Sequence, residues 1–409
     1  MSDLRAELAT VVGAEHLTAD ASEHGDLRVT PGSAAEVAEV IRRAGALGVA
    51  IHPVGARGRP VAVAKEGARE RFFISTSRLD HVLQLDERSL LVHAQVGLTG
   101  QALERILAPR GLSLGDYPPV VMSSSIGGII AVRTPGKSSA RHGFFEDAVA
   151  GVSAVLADGR TVHTRVAPRR STGPYLARVL CGSEGTIGFI TSAVLRIHKV
   201  PEARLVAAYL LPSMEAAINA VYLALREEAA PSGIRIYDAA EAARHFNGLA
   251  LAVDQVLLCA GTAGPTDLAA CDRDLITNAV IAEGGAVTET GLAELWWRRL
   301  HAGEPTPAPL PTLQVMGTPT KLQVVYRAVI AEAARLGTPA SAHISRFDPD
   351  GGLVFITLGD EAHLATIEKV AAAAGGWLLG ARATKLDGYL RSLRAVLDPR
   401  GIMNPGTLA

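Results

Sequence analysis

Three glycine-bearing turns in the first half of the chain limit what it can fold into more than any other feature. They are Pro53-Val54-Gly55-Ala56-Arg57-Gly58-Arg59-Pro60, Ser123-Ser124-Ser125-Ile126-Gly127-Gly128, and the run from Gly182 to Gly188. Glycine turns let backbone N–H groups approach a polyphosphate without interference from Cβ. Any one of them alone reads as an ordinary turn. Together, with a stretch rich in glycine, proline and serine from Gly115 to Gly143 that contains the second of them, they point to a long ligand laid across several loops. A dinucleotide has that length.

The surrounding pattern is α/β in texture. Ser33 and Glu36 have capping-box spacing, and Val37, Val40, Ile41, Ala44 and Leu47 follow at helical intervals. Gly48 ends that helix, and Val49 to Val54 reads as a strand feeding the first turn. Further strands are expected at Arg71 to Ser75, at Leu90 to Val96 with its alternating apolar residues, and at Phe189 to Ile197. A helix is expected from Gly100 to Gly111, and a hairpin from Val152 to Thr164 turning at Ala157-Asp158-Gly159. The stretch Gly115 to Gly143 reads as a loop-rich region. After Pro201 strands and helices alternate in βαβ-like units with few glycine turns, which reads as a separate α+β domain.

Bulk properties exclude several classes. The 409 residues exceed one ordinary core, so two domains are expected. Forty basic against forty-one acidic side chains leave a formal net charge of −1, with no long-range pull toward nucleic acid or anionic lipid. No run of about 18 apolar residues occurs, so no membrane span is expected. The N-terminal residues lack a signal-peptide pattern, and Cys181, Cys259 and Cys271 form no CxxC pair, so a cytoplasmic chain with buried thiols rather than a disulfide framework or zinc site is expected. Gly136-Lys137-Ser138 lacks the first P-loop glycine, since position 131 is Ala. Cys181-Gly182-Ser183-Glu184-Gly185 lacks the first glycine of a nucleophile elbow. No GxGxxG follows the first strand.

Gly182-Ser183-Glu184-Gly185-Thr186-Ile187-Gly188-Phe189-Ile190-Thr191 resembles the GSEGTLGVIT signature of the FAD-binding PCMH-type, or vanillyl-alcohol-oxidase, flavoproteins. Ser125-Ile126-Gly127-Gly128 is similar to that superfamily's TIGG turn, Pro53-Val54-Gly55-Ala56-Arg57 to its pyrophosphate loop, and Leu397-Asp398-Pro399 with Asn404-Pro405-Gly406 to its usual close. The runs Arg133-Thr134-Pro135-Gly136, Arg141 to Asp147 and Pro168 to Pro174 look like its alkylglycerone-phosphate synthase branch, near the glycolate oxidase and D-lactate dehydrogenase branch. The resemblance implies an α+β fold: a two-subdomain PCMH-type FAD-binding domain over residues 1–200, an α+β cap with an antiparallel sheet over 201–384, and a tail, 385–409, returning to the first domain. It implies non-covalent FAD held by Pro53, Val54, Gly55, Ala56, Arg57, Gly58 and Arg59, by Pro119, Ser123, Ser124, Ser125, Gly127 and Gly128, by Val132, Arg133, Thr134 and Pro135, and by Glu184, Gly185, Thr186, Gly188 and Ile190.

The chain departs from that pattern where protons would be handled. The synthase branch carries histidines before a GxGK turn near its C-terminus. Here Gly375-Gly376 runs into Trp377-Leu378-Leu379-Gly380-Ala381-Arg382-Ala383-Thr384-Lys385, and no tyrosine stands in Leu353 to Thr357. Oxidation of an alcohol needs a base with a pKa near working pH, which favours histidine. The candidates are His343, with Arg346 close to it in sequence, and His301, while Arg382 and Lys385 are candidates to bind a substrate carboxylate or phosphate. For each histidine an ordinary structural role is the competing reading, and the neighbouring Trp296 and Trp297 read as core. The expected activity is FAD-dependent oxidation of a small hydroxy acid or related alcohol by hydride transfer to flavin N5. The alternatives are a synthase-like non-redox flavoenzyme and a non-catalytic FAD-binding subunit. The expected partner is a small-molecule substrate, with homodimer formation left open.

Overall fold

The computed structural model describes residues 2–19, 27–55, 70–115, 119–133, 139–166, 175–246, 249–301, 307–379 and 388–407. Contacts divide the chain into two compact units. The first comprises Met1–Gly136, Phe144–Lys199 and Thr384–Ala409; the second comprises Lys137–Gly143 and Val200–Ala383.

In the first unit the Ala34–Leu47 helix starts where Ser33 Oγ accepts the Glu36 N–H, while the Glu36 carboxylate accepts the Gly32 N–H. It ends at Gly48, whose φ of 70° suits a residue without Cβ. Val37, Val40, Ile41 and Ala44 are buried, whereas Leu47 is exposed because the helix has turned past its apolar stripe. The helix is followed by Ala50–Val54, which pairs in parallel with Arg71–Ser75 in a four-stranded sheet. A second sheet of five strands is antiparallel, with Phe189–Arg196 between Leu91–Gln95 and Val149–Val155. Val92, Ala94 and Val96 are buried as their alternation requires. The hairpin forms between Val149–Val155 and Thr161–His163, and Gly159 takes φ 84° in its turn.

The stretch expected to be loop-rich holds three short helices, Pro119–Met122, Ile126–Ala131 and Ser139–His142. Ile126, Ile129 and Ile130 are buried on one side of the second. Their i, i+3, i+4 spacing was masked by the glycine pair between them.

The second unit is built on an eight-stranded sheet. Its order is Ala286–Val287, Ala203–Leu211, Val256–Gly264, Gly233–Tyr237, Ala340–Asp348, Gly351–Leu358, Thr312–Gly317 and Trp377–Leu379. Every neighbouring pair is antiparallel. The βαβ-like alternation has a simple origin. Ala203–Leu211 and Gly233–Tyr237 run the same way, joined by the Met214–Arg226 helix, and the antiparallel strand Val256–Gly264 is inserted between them. Thr312–Gly317 and Ala340–Asp348 repeat the arrangement around Gly351–Leu358. These are split βαβ units.

One sheet face is apolar. Ile234, Ile236, Leu258, Ile344, Val354 and Ile356 meet residues of the helices Met214–Arg226, Thr266–Ala282, Pro319–Leu336 and Leu364–Ala373 there. The opposite face is covered at one end, where Ala208, Tyr237, Leu257 and Cys259 pack with Ala242, Phe246, Ala293, Trp296 and Leu300. No helix among the described residues is long and apolar enough to cross a membrane.

Candidate functional site

The first unit brings its three glycine turns together. A Cβ on Gly55 would lie 2.6 Å from Ser125 Oγ, and one on Gly185 would lie 2.7 Å from Pro53 Cγ. Gly182 and Gly185 take φ 74° and 75°, where a side chain would be strained. Ser125 caps the Ile126–Ala131 helix by accepting the Gly128 N–H at 3.3 Å, which leaves its own proton to donate. Gly127 sits on Val96: its N–H donates to the Val96 carbonyl, and a Cβ would come 2.9 Å from Val96 Cβ. The third turn joins the second through Glu184 N–H to Ala131 O and Gly182 N–H to Ile130 O. Thr186 Oγ1 donates to Ser183 O, Gly188 lies under the Val155 carbonyl, and Ile190 is buried in the strand that follows. Glu184 has φ 48°, and burial raises its carboxyl above the usual range.

Asn404, in the C-terminal tail, fastens the arrangement. Its N–H donates to Ile51 O, its Oδ1 meets His52 Nδ1 at 2.8 Å, and its Nδ2 donates to Glu184 O. His52 therefore has a structural partner. Arg133 is also engaged within the protein, donating to Cys181 O at 3.1 Å and facing Glu146 at 3.8 Å. Ser123 and Ser124 lead into the Ser125 cap, Pro119 opens a short helix, and Val132 ends the next. Ala56, Arg57, Gly58, Arg59, Thr134, Pro135, Arg382 and Lys385 lie outside the described residues. The convergence of three turns at positions that exclude Cβ fits the close backbone approach a dinucleotide pyrophosphate requires.

In the second unit, strand register places Arg235 and Tyr237, Ser345 and His343, and Phe355 on one sheet face. The His343 ring stacks on Phe355, with centroids 4.5 Å apart and planes 12° apart. Its Nδ1 is 3.2 Å from Glu241 Oε1. Glu241 comes from the Ala239–His245 helix, which Asp238 caps by accepting the Glu241 N–H. The second Asp238 oxygen accepts the Ala342 N–H at 2.7 Å, tying the cap to His343's own strand. Burial pushes the Asp238 carboxyl up to about 6.

Glu241 is 1% exposed. Burial alone would raise its pKa, but hydrogen bonds from His245 and His343 at one oxygen and from Ser341 at the other hold it well below the carboxylate range, and Arg244 also donates to the second oxygen. His343 is lowered to about 3 by burial and by the Arg235 charge, and is therefore neutral. A carboxylate accepts only, so the imidazole gives it the Nδ1 proton and keeps its lone pair on Nε2.

Arg346 stands at the irregularity between Ser345 and Asp348 with φ 59°, its guanidinium 5.3 Å from the Phe355 ring. Burial and Arg235 lower it to about 9. Its Nη1 is buried without a hydrogen-bond partner among the described residues. The structure thus brings His343 and Arg346 onto one ring. His301 is placed elsewhere: it stacks on Trp297 at 3.9 Å, and Trp297 lies over Gly261. Gly261 pairs with Gly233, four residues along the strand from Tyr237 and its partner His343.

The sequence reading passed over Glu241 and Arg235, and gave Asn404 only as part of the superfamily's usual close. Asp238 and Glu241 do carry capping-box spacing, and His245 follows Glu241 by one helical turn. Those signals locate the cluster once the helix is recognised.

Comparison with known proteins agrees with the geometry. Residues 26–165 match the FAD binding domain model, and residues 374–408 match the C-terminal domain of FAD linked oxidases. The chain is 34% identical to the alkyldihydroxyacetonephosphate synthase of Dictyostelium discoideum over 223 residues, 54% of this chain and 36% of that protein. It is 30% identical to a probable mitochondrial D-lactate dehydrogenase of Danio rerio over 189 residues, 45% of this chain and 38% of that one. Each match thus spans well under half of the relative's own length. Among solved structures, p-cresol methylhydroxylase with substrate bound superposes with a TM-score of 0.72 at 14% identity, covering 99% of this chain and 96% of that one. Residues 26–165 thus carry an FAD binding domain and residues 374–408 the C-terminal domain of FAD linked oxidases, on a fold shared with PCMH-type flavoproteins, and the cofactor is FAD.

Proposed function

We propose that this chain is an FAD-dependent oxidoreductase acting on a small 2-hydroxy acid or related alcohol. The observation that carries the reading is the neutral His343, held on the Glu241 carboxylate with Arg235 and Arg346 beside it. FAD, when bound, supplies at N5 the acceptor for the substrate's hydride. The backbone of the 53–55, 123–128 and 182–188 turns would hold it. Arg346, and Arg235 on the same face, bind the substrate carboxylate as charge-assisted donors. His343 Nε2 takes the hydroxyl proton as the C–H bond gives up its hydride, leaving a keto acid. Glu241 stabilises the imidazolium so formed. The bound carboxylate also offsets the Arg235 charge, one of the two causes of the low His343 pKa, and so raises that pKa toward working pH.

A second reading is a non-redox flavoenzyme resembling the synthases. It is favoured by the likeness to the Dictyostelium synthase and by the ability of both arginines to hold a phosphate. Against it stand the missing histidines after Gly376 and the missing tyrosine in Leu353 to Thr357.

Anaerobic mixing of the purified holoprotein with D- and L-2-hydroxy acids, followed at about 450 nm, tests the first reading. Bleaching by one enantiomer is expected, and His343→Gln should slow it by about 10²–10⁴-fold while leaving the oxidised spectrum intact. Persistent yellow colour with every hydroxy acid and alcohol, together with turnover of acyl-dihydroxyacetone phosphate, would transfer the case to the second.

A further inference from the structure

Between the sheet of the second unit and the Ala239–His245 and Thr290–His301 helices lies a cavity of about 20 Å³, lined by Arg235, Tyr237, His245, Trp296 and Arg299 among its polar groups. That is room for a single particle of roughly the size of water. Trp296 is 2% exposed, and its indole Nε1 is buried without a hydrogen-bond partner among the described residues. Arg299 Nε is in the same condition. An orphaned buried donor costs about 1–3 kcal/mol, and two lining one cavity call for an occupant that accepts.

The charge around the cavity has the same sign. The Arg299 guanidinium lies 5.7 Å from the Phe246 ring and the Arg235 guanidinium 5.7 Å from the Tyr237 ring. Neither pairs with a carboxylate among the described residues, and Glu241, which lines up with His245 beside them, already accepts from four side chains. Indole and guanidinium groups donate only, and Tyr237 Oη already accepts from Arg235. Among the lining groups only the His245 ring nitrogen turned away from Glu241 can still accept, so water would bring two protons of its own into a donor-rich space. A monatomic anion brings none and offsets the charge.

We propose that this cavity is a binding site for one chloride-sized monovalent anion, held by Trp296 Nε1–H and Arg299 Nε–H next to the Arg235 guanidinium. The site is formed wholly within the second unit. By offsetting Arg235 it also moderates the positive field on His343.

All three tryptophans, Trp296, Trp297 and Trp377, belong to the second unit, so their fluorescence reports its unfolding. Thermal unfolding of the full chain is compared in sodium chloride, sodium bromide and sodium gluconate at equal ionic strength, gluconate being too large to enter. Chloride and bromide should raise Tm saturably, by roughly 5–10 °C at a hundredfold excess over Kd. Trp296→Phe keeps the ring and removes the N–H; Arg299→Lys keeps the charge and removes the Nε donor. Both should lose most of the halide-dependent shift. A crystal grown in bromide should show anomalous signal in the cavity. Equal Tm in halide and gluconate, an ordinary water in the bromide crystal, or an undiminished shift in a folded variant would each overturn the assignment. The wild-type comparison decides it even where a variant fails to fold.

Discussion

Glu241 Oε1 and His343 Nδ1 stand 3.2 Å apart although 102 positions separate them in the chain. The contact joins the first turn of a short helix to the middle of a central strand, and Asp238 reinforces it by accepting the Ala342 N–H beside His343. One carboxylate fixes the imidazole's tautomer and the other fixes the backbone that carries it. A buried carboxylate with four donors is a rigid support, so the His343 ring has one orientation available.

Stability should respond to acid through this histidine. The folded His343 value of about 3 lies below the ordinary 6.5, so its contribution is complete above pH 6.5 and is lost as pH falls from 6.5 toward 3. At pH 5 the loss amounts to about 2 kcal/mol. Asp238, raised to about 6, works in the opposite direction: its contribution is complete below 3.8 and is lost as pH rises through 6. Urea unfolding at pH 7 and pH 5, followed by tryptophan fluorescence, should show His343→Gln losing about 2 kcal/mol less than the wild type. Equal losses would mean that His343 is already charged in the folded protein.

Arg346 should discriminate between substrates by charge. Arg346→Asn preserves tolerance of the positive φ at this position and removes the cation. KM for a 2-hydroxy acid is expected to rise by about 10–100-fold, with that for a neutral alcohol unchanged. Steady-state rates on a matched acid and alcohol pair measure the difference. A parallel change for both would assign Arg346 to structure alone.

Gly185 should limit flavin retention. Alanine there must adopt φ 75° and press a methyl group against the Pro53 ring at 2.7 Å. Strain and displacement together cost about 1–3 kcal/mol, delivered where the first and third turns meet. The ratio of absorbance at about 450 nm to that at 280 nm in purified Gly185→Ala should fall well below wild type, with the far-UV spectrum retained.

Asn404→Ala removes the partners of Glu184 O and His52 Nδ1 together. The expected cost is roughly 2–4 kcal/mol, and flavin should dissociate faster. Asn404→Asp keeps an acceptor for His52 but turns a second acceptor toward the Glu184 carbonyl and buries a charge, so it should be at least as destabilising as alanine. Denaturation midpoints and flavin release rates provide the ranking.

How much of this was legible in the sequence depended on the distance over which each feature is encoded. The Ala34–Leu47 helix, with its cap, apolar stripe and terminal glycine, is written in sixteen consecutive residues from Ser33 to Gly48 and is readable there. The cradle was legible as three motifs but not as contacts, because no local pattern says that Gly185 touches Pro53. His343 and Arg346 stand out by chemistry and fall together because a strand irregularity turns Arg346 back onto Phe355. Capping-box spacing marks Asp238 and Glu241 as a helix start, but nothing local says that Glu241 reaches His343, since that contact depends on pairing strands from different split βαβ units. His301, equally plausible by residue type, is held on Trp297 instead.

The Asn404 contacts also carry a consequence for synthesis. Glu184 waits for a partner 220 positions later, so a nascent chain can complete the second unit while the flavin cradle is still open. The last fastening cannot be made until Asn404 has emerged from the ribosome, and closing so long a loop is slow. Chains that stop short of residue 404 should therefore leave the ribosome with the first and third turns unfastened and a weaker hold on the flavin.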